Sequence, residues 1–152
     1  MLIFDIILIM ETEETEQQKI ERYVSHWVES SDEWLENKSM DKRKIDPAVL
    51  KSVNEYLGIV NQHYRIDVAY LFGSYAKGNT HKWSDIDLAI VSDDIKERLD
   101  DMAKMFVLAA DIDGLIEPHP YNTKEFRSGD YMLANEILRT GIPVWGNPAV
   151  PL

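Results

Sequence analysis

The chain has 152 residues, 45% of them hydrophobic, a formal net charge of −11 and no cysteine. That size suits one domain with a real core, and the absence of cysteine excludes disulfides and thiolate zinc sites. The acidic balance argues against a protein that grips nucleic acid by phosphate neutralisation alone, and it leaves room for divalent cations and a basic protein partner.

The first ten residues, "MLIFDIILIM", are apolar apart from Asp5. They are too short to span a bilayer, and they lack the positive start and small-residue cleavage site of a signal peptide. They read as a short strand, a covered tail, or a stretch ahead of the true start, with Met10 and Met40 as alternatives. A cytoplasmic protein without a membrane anchor is expected. Residues 11–39 predict a helix, with Ile20, Val24, Trp27 and Val28 at helical spacing and Trp34 and Leu35 on about the same face. The acidic cluster Glu11 to Glu16 suits the start of such a helix. The charged stretch 40–46 reads as a linker between an extension, 1–45, and a domain, 46–152.

Asp46 and Pro47 predict a helix start, and Val49, Leu50, Val53, Tyr56 and Leu57 give that helix an apolar face ending near Gly58. Ile66 to Phe72 predicts a buried strand, "GSYAKG" a short helix or loop, and Asp85 to Ser92 the next strand. Residues 93–110 predict an amphipathic helix with Ile95, Leu99, Met102, Phe106 and Val107 inward. A third strand falls within 111–121, where Pro118 and Pro120 confine it to an edge or to a strand end. One or two short helices end at Gly141, and "IPVWG" follows as a short terminal segment. The order helix, strand, strand, helix, strand, helix predicts an α/β (α+β) domain with a small mixed β-sheet flanked by helices.

The chemistry concentrates in "GSYAKGNTHKWSDIDLAIVS", residues 73–92. Glycine lets backbone approach a ligand closely, and the Ser74 hydroxyl with free N–H groups at a helix start can hold a phosphate. Lys77 adds a positive charge nearby. Alone, a Gly-Ser pair after a strand is most often an ordinary turn. Asp85 and Asp87 stand two apart, so on a strand they point the same way while Ile86, Leu88 and Ile90 point inward. Two carboxylates that close repel unless a cation lies between them, and Mg²⁺ takes oxygen ligands while keeping substrate phosphates in its shell. A solvated strand end would carry the same pair, so the conjunction of turn and pair is the specific signal.

That conjunction resembles the minimal nucleotidyltransferases, the small stand-alone members of the DNA polymerase beta-like superfamily that include the MntA-type antitoxins of HEPN/MNT toxin–antitoxin pairs. The matching residues are Gly73, Ser74, Lys77, Gly78, Ser84, Asp85, Asp87 and Leu88, with Lys77 where arginine is more usual. The resemblance covers roughly residues 47–146 and implies a nucleotidyltransferase fold. It implies Mg²⁺, two ions, held by Asp85, Asp87 and a third carboxylate, with Gly73, Ser74, Lys77 and Ser84 on the phosphates of ATP. Glu117, ahead of Pro118, is the first choice for the third carboxylate and Asp113 the second. Asp113, Leu115 and Glu117 would share one strand face, so alternation does not separate them.

The implied activity is transfer of AMP from ATP to a hydroxyl, a tyrosine, of a HEPN-type toxin, with a homodimer or a hetero-oligomer with the toxin as possible assemblies and no sequence-specific nucleic acid. A small-molecule acceptor such as an aminoglycoside, and a non-catalytic antitoxin that works by binding, are the alternatives. The four histidines form no zinc-like pair. His26 and His63 read as helix surface, His81 as a loop residue able to touch phosphate, and His119 as part of a Pro-His-Pro strand end. The tryptophans read as packing or partner contacts, with Trp83 placed to line a nucleotide pocket.

Overall fold

A computed structural model describes residues 15, 18, 36–38, 42 and 44–148. The apolar start, the helical face Ile20 to Leu35, His26, and the two alternative start methionines lie outside the described residues. The chain divides into a unit of residues 1–35 and a unit of residues 36–151. In the first, Thr15 N–H donates to Gln18 Oε1 at 2.9 Å and Gln18 N–H donates to Thr15 Oγ1 at 3.2 Å. That reciprocal pair is a capping box, the local chemistry of a helix start.

In the second unit residues 36–38 and 42 are helical, and the first element with described bounds is α1, Pro47–His63. Asp46 caps it by accepting from Ala48 N–H at 2.8 Å, and Pro47 occupies the first turn, where its missing N–H costs nothing. Gly58 does not end the helix. Val60, two residues on, is fully buried, so packing carries the helix past a residue of low intrinsic propensity.

Then follow β1 (Val68–Leu71), α2 (Ser74–Lys77), β2 (Ile86–Val91), α3 (Arg98–Ala110), β3 (Ile116–Tyr121), α4 (Thr123–Arg127), α5 (Met132–Thr140) and β4 (Ile142–Gly146). The strands form one mixed sheet in the order β3-β2-β1-β4. β1 pairs antiparallel with β2 and β4, and β2 pairs parallel with β3. The "IPVWG" segment is therefore a fourth strand, not a terminal tail. Pro118 and Pro120 fall inside β3, which is an edge strand and tolerates their missing donors.

Alternation gives the sheet two faces. Ile86, Leu88, Ile90 and Ile116 join Val53, Tyr56, Leu57 and Val60 of α1 and Met105 and Ala109 of α3 in the main core. Tyr56 O–H donates to the Met105 carbonyl at 3.0 Å, tying α1 to α3 inside that core. On the other face Tyr70 stacks on Phe126 with ring centroids 5.8 Å apart, and Tyr121 packs on Phe126 at 5.1 Å. Phe126, Ala134 and Ile137, from α4 and α5, are buried there. Among the described residues no helix is long and apolar enough to cross a membrane.

The helix predicted over 93–110 begins only at Arg98, and it turns differently from its apolar pattern. Its buried residues are Asp101, Met105 and Ala109, whereas Leu99, Phe106 and Val107 are exposed. Ile95 is buried, but in the loop before the helix. Asp101 explains the rotation. Its carboxylate accepts from Lys96 N–H at 3.0 Å, Glu97 N–H at 3.1 Å and the Tyr64 hydroxyl at 2.9 Å, so it satisfies orphan donors at the helix start. Burial alone would raise the Asp101 carboxyl, but these bonds and Lys104 outweigh it and hold the group below its ordinary range. Burial, reinforced by the bond to Asp101, pushes the Tyr64 hydroxyl up to about 12.

Candidate functional site

At one end of the sheet, three elements converge. Phe72 N–H, just past β1, donates to the Asp87 carbonyl at 3.0 Å and fixes the end of the β1–β2 pair. The chain then turns at Gly73, whose φ of 66° and ψ of −136° suit glycine. A Cβ on Gly73 would lie 2.3 Å from Asp87 Oδ2. The glycine thus leaves the space that the carboxylate occupies.

The parallel pairing of β2 with β3 sets Asp87 opposite Glu117 and Ala89 opposite His119. Asp87, Glu117 and His119 therefore share a face, and it is the face opposite the main core. Ala89, Val91 and Tyr121, further along it, are buried, while these three are only half-buried. His119 Nε2 lies 3.3 Å from Asp87 Oδ1 and 3.8 Å from Glu117 Oε1. One donor atom from each residue lies within 4.8 Å of the other two. The Phe72 ring meets the His119 ring edge-on at 5.0 Å and 68°. Two carboxylates and an imidazole with open access are a donor set for a divalent cation.

The remaining predicted residues are placed as follows. Asp85 precedes β2, is exposed and stands outside the group of three. Asp113 also stands outside it. β3 starts at Ile116, so Asp113 is not on the strand at all. Its Oδ1 accepts from Leu115 N–H at 3.0 Å, an Asx turn that leads the chain into β3. Ser74 opens α2. Lys77 is exposed and pairs with Glu136 at 3.8 Å. Ser84 is buried, and its Oγ accepts from His81 N–H at 2.8 Å, bracing the loop before Asp85. Trp83 is exposed, with the Lys82 ammonium 5.0 Å from its ring centre.

A cleft of about 1090 Å³ adjoins α2, lined among others by Lys44, Tyr75, Lys77, His81, Lys82 and Asp113. The member of the site that sequence reasoning missed is His119. Its signal was the i, i+2 step from Glu117, which puts both on one face; the flanking prolines drew the reading toward a purely structural role.

The sequence model of the family "Polymerase beta, Nucleotidyltransferase" matches residues 54–148. Among characterised proteins, the protein adenylyltransferase MntA of Shewanella oneidensis is 28% identical over 82 residues, which are 54% of this chain and 55% of that protein. The chain thus spans about half the length of the curated relative it matches. Among solved structures, that of a toxin–antitoxin with AMP-PNP is 24% identical, with a TM-score of 0.43 over 61% of this chain and 73% of that one. A Sulfolobus solfataricus protein assigned as a nucleotidyltransferase is 21% identical, with a TM-score of 0.48 over 72% of this chain and 96% of the other.

Proposed function

The chain belongs to the polymerase beta nucleotidyltransferase family, and on that premise we propose that it transfers AMP from ATP to a protein hydroxyl in a Mg²⁺-dependent reaction. The acceptor we propose is a tyrosine of a HEPN-type toxin, which makes this chain the antitoxin of the pair. The toxin–antitoxin setting comes from the motif resemblance, and the likeness to the protein adenylyltransferase MntA supports AMP transfer to a protein. The observation that carries the reading is the convergence of Asp87 and Glu117 beside a glycine that only a missing Cβ allows there.

The donor set fits a divalent ion: partly solvated oxygens from two strands, close enough to share one cation. Asp87 and Glu117 would hold it, and Asp85, exposed just ahead of β2, would complete the carboxylates. What a bound ion supplies there is neutralisation of charge on the α-phosphate and polarisation of the acceptor hydroxyl. Gly73 and Ser74 would hold the β- and γ-phosphates. The acceptor oxygen attacks the α-phosphorus, the bond to the bridging oxygen breaks, and pyrophosphate leaves. Glu117 would take the proton that the acceptor hydroxyl loses.

The test is transfer of label from α-³²P-ATP, with Mg²⁺, onto a purified HEPN-type toxin. Wild-type protein should label the toxin, and Asp87→Asn should lose at least about a hundredfold in rate with its circular dichroism unchanged. Toxin that stays unlabelled yet is neutralised on mixing would favour the binding antitoxin instead.

A further inference from the structure

We propose that His119 is a direct ligand of the divalent ion, and that its nitrogen makes the site select Mn²⁺ over Mg²⁺. This rests on the metal-dependent reading above and goes beyond an all-carboxylate site. Ligands bound to one octahedral ion at about 2.1 Å lie about 3 Å from their neighbours, the bond length times √2. His119 Nε2 stands 3.3 Å from Asp87 Oδ1 and 3.8 Å from Glu117 Oε1, so the imidazole is already near ligand spacing from each carboxylate.

The competing role is a hydrogen bond or ion pair that merely orients Asp87. Charge-assisted N–H···O⁻ bonds run about 2.7–2.9 Å. The His119–Asp87 contact is a hydrogen bond of 3.3 Å, longer than that, and the Glu117 distance of 3.8 Å is outside hydrogen-bond range. The imidazole is also aimed rather than loose. It rises from an edge strand between Pro118 and Pro120, which fix the backbone on either side, and the Phe72 ring backs it. Mn²⁺ shares the preference of Mg²⁺ for carboxylate and water, but it belongs to the first-row series, whose ions take imidazole nitrogen more readily than Mg²⁺, so a nitrogen donor tips the balance toward Mn²⁺.

The experiment is calorimetric titration of the full chain with Mn²⁺ and with Mg²⁺, each with and without a non-hydrolysable ATP analogue. It is joined to ¹⁴N electron spin-echo modulation on the Mn²⁺-loaded protein. Wild type should bind Mn²⁺ at least about tenfold more tightly than Mg²⁺ and show imidazole nitrogen coupling. His119→Ala should lose that coupling and about tenfold in Mn²⁺ affinity while Mg²⁺ affinity barely moves. Binding that depends on Asp87 but shows no nitrogen coupling would overturn the ligand role and leave the proposed function standing. So would equal weakening of both ions by His119→Ala, the mark of a positioning residue. If neither ion binds wild type, with or without the analogue, this inference and the metal-dependent reading fall together.

Discussion

At the scale of single residues, Gly73 carries two constraints that can be separated by experiment. Its positive φ makes any side chain strained, and its missing Cβ leaves room for the Asp87 carboxylate. Gly78 has the first constraint alone, with φ of 71° and nothing within 4 Å of an added Cβ. Gly73→Ala and Gly78→Ala should each cost about 1–3 kcal/mol from backbone strain, read from urea midpoints. Only Gly73→Ala should also lose metal binding and nucleotide transfer, by at least about tenfold, because only there must Asp87 move. Equal effects on transfer would break the link between Gly73 and the carboxylate. Asp101 makes a different claim, about stability and pH. Its folded pKa is depressed, so its contribution is complete above the unfolded value of about 3.9 and is lost as pH falls through the lower folded value. Asp101→Asn cannot accept at both oxygens and should cost about 1–3 kcal/mol near pH 6. The gap from wild type should shrink as pH drops below about 4, which denaturation midpoints across pH would show.

At the scale of elements, legibility followed how local the deciding information is. β2 and the turn at Gly73 were readable because alternation and turn chemistry lie within twenty consecutive residues. α1 was readable from its cap and its apolar face, except for its end, where buried Val60 overrode Gly58. β4 was not readable: its five residues include Pro143, and only pairing with β1 makes them a strand. Alternation could not separate Asp113 from Glu117 for the same reason: the first choice, Glu117, rested on the resemblance, because the parallel register that sets it beside Asp87 is not written in either segment alone. The face of α3 was misread because hydrophobic periodicity does not count a buried aspartate. This misreading has a measurable consequence. Met105 is fully buried, whereas Val107, two residues on, is 72% exposed. Met105→Ala should cost about 2–5 kcal/mol, while Val107→Gln should stay within about 0.5 kcal/mol. A large loss at Val107 in chemical denaturation would mean that α3 buries the face its sequence pattern suggested.

At the scale of the molecule, the question is where the folding unit of the nucleotidyltransferase-family domain begins. Charge and composition place a linker at residues 40–46 and start the domain at Asp46. The contacts start the unit earlier, at Glu36. Two residues in the disputed stretch show what is at stake. Lys38 is buried, and its ammonium donates to the Thr140 carbonyl at 3.0 Å, at the end of α5 just before β4. Ile45 is buried in the main core with α1 and the sheet. A fragment of residues 46–152 loses both: a buried apolar side chain of about 1.5–3 kcal/mol, and a charged hydrogen bond of about 1.5–3 kcal/mol. The two losses lie on different partners and should add approximately. A fragment of residues 36–152 keeps both. It should unfold in urea in one cooperative transition, about 3–6 kcal/mol more stable than the shorter fragment. The shorter fragment should accordingly lose its near-ultraviolet circular dichroism at lower urea, or fail to fold. Equal midpoints for the two fragments would place the boundary at the charged linker after all, and would reduce the Lys38–Thr140 bond to an incidental contact.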